Sequence, residues 1–283
     1  MLAHRSTVLV MGAILGCRSP ALAMAAGMSV GRSPLLQVRE SESVHAARAQ
    51  ILETVGNSDH ALLGYLYMQW VETSDRKSLC ETYGLSWNGM RDMHQLVQQF
   101  DRVVPPGSDV HSHLWRVWRT CAVSALAPSQ MLQVKLPPPK FLATAGGAQA
   151  ATPEARELRF FRKSRERVWI HPSCASFGVG NYSCPWVVYG SLVRTSKPFV
   201  RDITEASAYA LLMLAGSVEL QRDSILVDGW CTLSAHPRIG SLVGGLRKRL
   251  DRWLEGTIRD PSMAAGPELE LLVQLIASDG LGM

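Results

Sequence analysis

Between Arg156 and Arg201 the chain carries nine lysines or arginines and two acids, Glu157 and Glu166, a local balance of +7 where the whole chain has +5. Rings are threaded among these cations: Phe160, Phe161, Trp169, Phe177, Tyr182, Trp186, Tyr189 and Phe199. Cations neutralise phosphates and exposed rings stack bases, so the combination suits single-stranded nucleic acid. The same composition describes a core of rings beneath a solvated charged surface, and composition alone does not separate the two. Two other constellations invite metal chemistry. His111 and His113 stand two apart, which on a helix points them to different sides, and no Cys or carboxylate cluster accompanies them. His171, Cys174 and Cys184 lack an evident fourth ligand.

The elements that must position the basic stretch are short. Val168–Ile170, Trp186–Val193 and Pro198–Ile203 are β-branched and aromatic runs separated by Gly, Ser, Pro and Asn, which reads as strands of a small β-domain. Downstream, a helix is expected over Ser207–Leu214, then strands near 217–221, 225–227 and 230–233, with Asp228-Gly229 as a hairpin-type turn. His236-Pro237 opens an amphipathic helix whose apolar face includes Leu246 and Leu250. Its other face carries Arg247, Lys248, Arg249 and Arg252, read as a solvated surface in preference to an RNA contact. Leu269–Ile276 forms a further candidate helix.

Upstream, helical patterns dominate. Ser58 or Asp59 caps an almost wholly apolar helix, with His60 as a structural residue at its start. Met93, Leu96, Val97, Phe100 and Val103 recur at helical spacing until Pro105-Pro106-Gly107, and another helix follows over His111–Leu126. Residues 136–152 are Pro-rich, then Ala/Gly-rich, and read as a loop. Six scattered cysteines without a CxxC favour reduced thiols. Residues 1–26 imitate a secretory leader: His4 and Arg5, an apolar run over Thr7–Cys17, and Ala21-Leu22-Ala23 as a cleavage-like site. That run is too short to span a membrane.

VWIHPSCASF, SCPWVVYGSLVRTSKPFVRDITEASAYALLML and VDGWCTLSAHPRIGSLVGGLRKRLDRWLEGTI, in this order and spacing, resemble the C-terminal region of DEAH-box (DEAH/RHA family) ATP-dependent RNA helicases. MGAILGCRSPALAMAAGMSVGRSPL and the Ser58-Asp59-His60 helix resemble the ratchet domain of the same family. Residues 1–26 are then two short helices broken at Arg18-Ser19-Pro20, not a leader, and the location is intracellular, nuclear or cytoplasmic. The resemblance covers about residues 7 to 261 and implies an α+β chain. Its expected parts are a helical ratchet-like domain over 1–135, a loop over 136–153, an OB-fold barrel over 154–261 ending in the amphipathic helix, and a tail over 262–283. His171-Pro172 becomes a structural turn.

The resemblance also implies the function. The chain would be the RNA-binding C-terminal portion of a DEAH-box helicase, lining the channel for single-stranded RNA. Arg194, Ser196, Lys197 and Arg201 would meet backbone phosphates, with Ser173 and Tyr189 as weaker candidates. The chain contains no GxxxxGK[ST] loop, no Asp-Glu-Ala-His box and no GxSxG elbow. ATP and Mg therefore belong to motor domains expected before Met1, and this stretch binds without catalysis, as a fragment of a longer protein. Expected partners are single-stranded RNA and, alternatively, the helicase core or a regulator that docks on this module; no membrane is expected.

Overall fold

A computed structural model describes residues 2–36, 41–144, 147–150, 153–260 and 266–280. The apolar N-terminal run forms two helices, α1 (Leu2–Ile14) and α2 (Arg18–Gly27). The chain turns at Gly16, whose φ of +66° favours glycine. The helices touch closely, because a Cβ on Gly12 would lie 2.0 Å from that of Ala21. Val8, Met11, Leu15 and the alanines of α2 are buried in this packing, which accounts for the hydrophobicity of the stretch.

The helical region continues with α3 (Glu42–Val55), α4 (Asp59–Glu72), α5 (Arg76–Thr82), α6 (Trp87–Val103) and α7 (Trp115–Leu126). Ser41, Ser58, Asp75 and Ser86 each accept a first-turn amide, so these helices start where their capping residues stand. Helix α7 begins at Trp115 instead of near His111. The residues before it hold the α1–α2 break: Asp109 accepts from the amide and hydroxyl of Ser19, and His111 Nδ1 lies 2.9 Å from the Leu15 carbonyl oxygen.

Strand β1 (Met131–Lys135) follows, then a hairpin of β2 (Phe141–Thr144) and β3 (Gly147–Ala150). Next come β4 (Arg159–Phe161), β5 (Arg167–Ile170), β6 (Trp186–Arg194) and β7 (Pro198–Glu205). A closed barrel is formed in the order β1-β4-β5-β7-β6, with β5 and β7 parallel. This is an OB-fold arrangement of five strands in an α+β chain. Its first strand lies within residues 1–135, expected to be helical, and the 136–153 loop carries the β2–β3 hairpin. Met131-Leu132-Gln133-Val134-Lys135 is a weak strand signal by itself, and its pairing with β4 and β6 defines it. Leu132 and Val134 join Phe160, Val168, Ile170, Val200 and Ile203 in the barrel core.

After α8 (Ala208–Leu214), strands β8 (Val218–Leu220), β9 (Ser224–Val227) and β10 (Cys231–Ser234) make a separate sheet outside the barrel. Asp228 and Gly229 both have positive φ, as a tight hairpin with the strands' twist requires. Helices α9 (Pro237–Arg259) and α10 (Pro267–Ser278) complete the chain. Leu272, Val273 and Ile276 of α10 are buried and share one continuous core with α1, α4 and α7. Residues 267–278, expected as part of a tail, are therefore packed structure.

Candidate nucleic-acid interface

Strand alternation sorts the basic stretch into two faces. In β4 and β5, Phe160, Val168 and Ile170 point into the barrel, while Phe161, Arg167 and Trp169 point out. In β7, Val200 points in, and Phe199 and Arg201 point out. Trp169 pairs with Phe199 across the parallel β5–β7 junction. Cations lie over the outward rings: Arg167 Cζ is 4.9 Å and Lys197 Nζ 5.0 Å from the Trp169 centroid, and Lys135 Nζ is 5.0 Å from that of Phe161. Among the described residues, none of these three cations has a carboxylate partner within ion-pair distance.

At the far end of the face, Arg201 Nη2 lies 3.2 Å from His171 Nε2. His171 Nδ1 accepts from the Ser173 amide at 3.1 Å and lies 2.6 Å from Ser173 Oγ. Burial and the neighbouring Arg201 charge both hold the His171 pKa below its ordinary value, consistent with a neutral ring. Ser173 and Arg201 also line a cavity of about 230 Å³ between the barrel and α1–α2, together with Arg5, Ser191 and Asp202.

The sequence candidates separate accordingly. Ser173 and Arg201 are brought together through His171. Lys197 and Ser196 sit exposed in the β6–β7 turn at the other end of the same face. Arg194 is a charge-paired cation: it donates to Glu166 through both terminal nitrogens, at 2.7 and 3.1 Å, and Glu166 also accepts from Arg162 at 2.9 Å. Tyr189 is 3% exposed and part of the barrel core, so its ring offers no face to a ligand. The reason is a phase shift in the alternation. Tyr189 and Ile203 face the core, but so do Leu192 and Val200, and the change falls at Gly190 and Asp202, where Asp202 has φ +58°. A Cβ on Gly190 would sit 3.1 Å from Asp202 Cβ and 3.3 Å from His60 Nε2, which explains glycine at this crossing.

One cluster carries more than the sequence reading assigned to it. Ser58, Asp59 and His60 open α4, and all three are buried against the barrel. The Ser58 hydroxyl and His60 Nδ1 lie 2.7 and 2.8 Å from Thr204 Oγ1 of β7. Asp59 accepts from the amide and hydroxyl of Ser176 and from the Ile203 amide, each at 2.9 Å. Burial raises the Asp59 pKa to about 6, against the lowering effect of these three donors. His60 is pushed down by burial. The motif thus clamps the helical region to the barrel. Its Ser-x-x cap was visible in the sequence, but its partners stand more than a hundred residues away.

The basic side of α9 is also committed in part. Arg247 donates to the carbonyls of Leu212, Ala215 and Gly216 at the end of α8 and pairs with Asp251 at 2.7 Å. Arg249 pairs with Glu268 at 3.0 Å. No group of three or more His, Cys, Asp or Glu placed to hold a metal occurs among the described residues, and no helix there is long and apolar enough to cross a membrane.

A helical region clamped to a five-stranded barrel with a cationic, ring-bearing outer face defines an α+β chain built around an OB-fold. Residues 139–218 match the family described as oligonucleotide/oligosaccharide-binding (OB)-fold, and residues 223–278 match the C-terminal domain in RNA helicases. The second match runs past Pro261, so the resemblance extends into the residues expected to lie outside it. The chain is similar to the ATP-dependent DNA/RNA helicase DHX36 of Mus musculus, at 26% identity over 279 residues, covering 91% of this chain and 26% of the relative. The Homo sapiens protein of that name is 25% identical over the same span, again 91% and 26%. The likeness is to DEAH-box helicases and holds across most of the chain, which spans about a quarter of the length of these curated relatives.

Proposed function

We propose that this chain is the RNA-binding C-terminal portion of a DEAH-box ATP-dependent RNA helicase, holding single-stranded RNA along the outer β5–β7 face where it meets α1 and α2. The observation that carries this reading is the placement of Lys197 and Arg201. Lys197 stands in the turn just before β7 and Arg201 outward on β7, four residues or roughly 13 Å apart, and neither has a carboxylate within ion-pair distance among the described residues. Ser173 and Ser196 add hydroxyl donors at the two ends. Phosphates bound here would displace counterions, which makes affinity fall steeply with salt. ATP, Mg and the coupling to hydrolysis would reside in the parts of such a helicase that this chain does not match, and the motor domains would close the channel from the other side.

The test is fluorescence anisotropy of a labelled U12 oligonucleotide with the full chain over a series of salt concentrations. Lys197→Ala and Arg201→Ala are each expected to flatten the log–log salt slope by about 0.7 to 1. Unchanged slopes in a folded double variant would remove these residues from the interface.

A second reading, a docking module for a helicase core or regulator, is favoured by one separate surface. Leu220, Ile239 and Leu242 are 50%, 50% and 64% exposed on β8 and α9. Under that reading, Leu242→Glu abolishes a protein association that survives nuclease treatment, while RNA binding is unchanged.

A further inference from the structure

A cleft of about 970 Å³ opens between α3, the start of α7, the loop from β5 to β6 and the end of α10. None of the lysines and arginines of the outer barrel face lines it. Its own cations are Arg116 and Arg119, three residues apart on α7 and so on the same side of that helix. Each guanidinium gives one bond to the chain: Arg116 to the Ala277 carbonyl at 2.9 Å and Arg119 to the Gly56 carbonyl at 2.8 Å. Neither has a carboxylate within ion-pair distance among the described residues. Gly56 makes room for Arg119: its φ of +76° ends α3, and a Cβ there would lie 2.7 Å from Arg119 Cζ. Burial pushes the Arg119 pKa below its ordinary value, and the neighbouring Arg116 charge adds to this against the opposing pull of Glu205 and Asp279. Of the acids that line the cleft, Glu205 already accepts from the Asn57 side chain and the amides of Ser183 and Cys184, and Glu53 is exposed on α3.

Two half-buried arginines side by side, without a paired carboxylate, carry a desolvation cost and a mutual repulsion that a bound anion removes. Most donors of each guanidinium remain unused. The amides of Trp115 and Arg116, at the uncapped start of α7, also have no acceptor among the described residues. A carboxylate offers two oxygens to so many donors, whereas a phosphate monoester offers three, arranged to suit two planar forks. The cleft lies at the upper end of the roughly 300–1,000 Å³ usual for small-molecule sites. Beyond the arginines its walls include Leu52, Trp115, Ala175 and Val179, so an organic group attached to the phosphate has apolar surface to lie on. We propose that this cleft binds a small organic phosphate monoester, with the phosphate at Arg116 and Arg119 and the organic group against the apolar wall. The site goes beyond the RNA-binding reading and does not depend on it.

The probe is adenosine monophosphate, followed by ligand-observed NMR against the full chain at fixed ionic strength. Adenosine is the control without phosphate, and inorganic phosphate the control without an organic group. Saturable binding of the monophosphate is expected, with displacement by inorganic phosphate at roughly tenfold higher concentration and no binding of adenosine. Arg116→Gln removes half of the charge pair. Ala49→Glu puts a carboxylate on the exposed α3 wall of the cleft and leaves every arginine bond in place, so it carries the test should Arg116→Gln fail to fold. Each is expected to weaken monophosphate binding roughly tenfold or more, while Lys197→Ala on the outer barrel face leaves it within about twofold. Absence of saturable binding overturns the site. So does adenosine binding as tightly as its monophosphate, or undiminished binding in the folded variants. A loss on Lys197→Ala with both cleft variants unaffected puts the phosphate on the barrel face and overturns it too. None of these results touches the RNA-binding reading, which rests on the U12 salt slope. That slope is expected to be unchanged in Arg116→Gln; a slope flattened as in Lys197→Ala would make the cleft part of the RNA interface and overturn a separate site.

Discussion

Arg194 and Lys197 stand three residues apart and carry the same charge, yet their surroundings give them different tasks. Arg194 shares Glu166 with Arg162, a triad with one net positive charge and fixed geometry. Lys197 rests on a ring and has its charge available. Arg194→Ala is therefore expected to change the salt slope for U12 by less than half of the change produced by Lys197→Ala, as read by the same anisotropy titration. Asp59 is the residue whose titration matters most for stability. Its folded pKa of about 6 is above its ordinary value of 3.8, so the neutral form is favoured in the folded chain. The associated stabilisation is fully present below pH 4 and is lost as pH rises through 6, on the order of 3 kcal/mol. Urea denaturation at pH 4 and pH 6 should show a larger fall for wild type than for Asp59→Asn; parallel profiles would mean that the carboxylate is ionised throughout.

At the scale of elements, polar side chains tie α4 to β7 and α9 to α8. Thr204 Oγ1 meets both the Ser58 hydroxyl and His60 Nδ1, all buried. Thr204→Val keeps the shape, takes away the partner of the buried His60 Nδ1 and leaves the Ser58 hydroxyl with only the Ala61 amide, which is expected to cost on the order of 2 kcal/mol of unfolding free energy in urea. Arg247 caps the end of α8 by three carbonyls, so Arg247→Ala should cost a similar amount, while Lys248→Ala one residue away stays within about 0.5 kcal/mol. The start of α4 was legible because a capping serine precedes an apolar run. The long strands β6 and β7 were legible as β-branched runs between turn residues. The sequence did not reveal β1, whose five residues gain strand character only from partners 24 and more positions away. Nor did it place Tyr189, because simple alternation does not anticipate the phase shift at Gly190 and Asp202.

At the scale of the molecule, the helical region, the barrel and the C-terminal helices share buried surface, and the continuous core runs from α1 through α7 to α10. Fold class and the helicase resemblance were readable from motif order, and the presence of a cationic, ring-bearing stretch from charge and rings. Which cations are free was not, since pairing such as Arg194 with Glu166 joins residues far apart in sequence. The central claim is that RNA lies on the outer barrel face and not on the basic side of α9. Irradiation of the full chain bound to a 4-thiouridine-substituted U12, followed by peptide mapping, tests this most directly. Crosslinks within residues 161–201, concentrated on β5, β7 and the turn between β6 and β7, are the predicted result. Crosslinks confined to α9, around Lys248 and Arg252, with the barrel unlabelled while binding is intact, would contradict it.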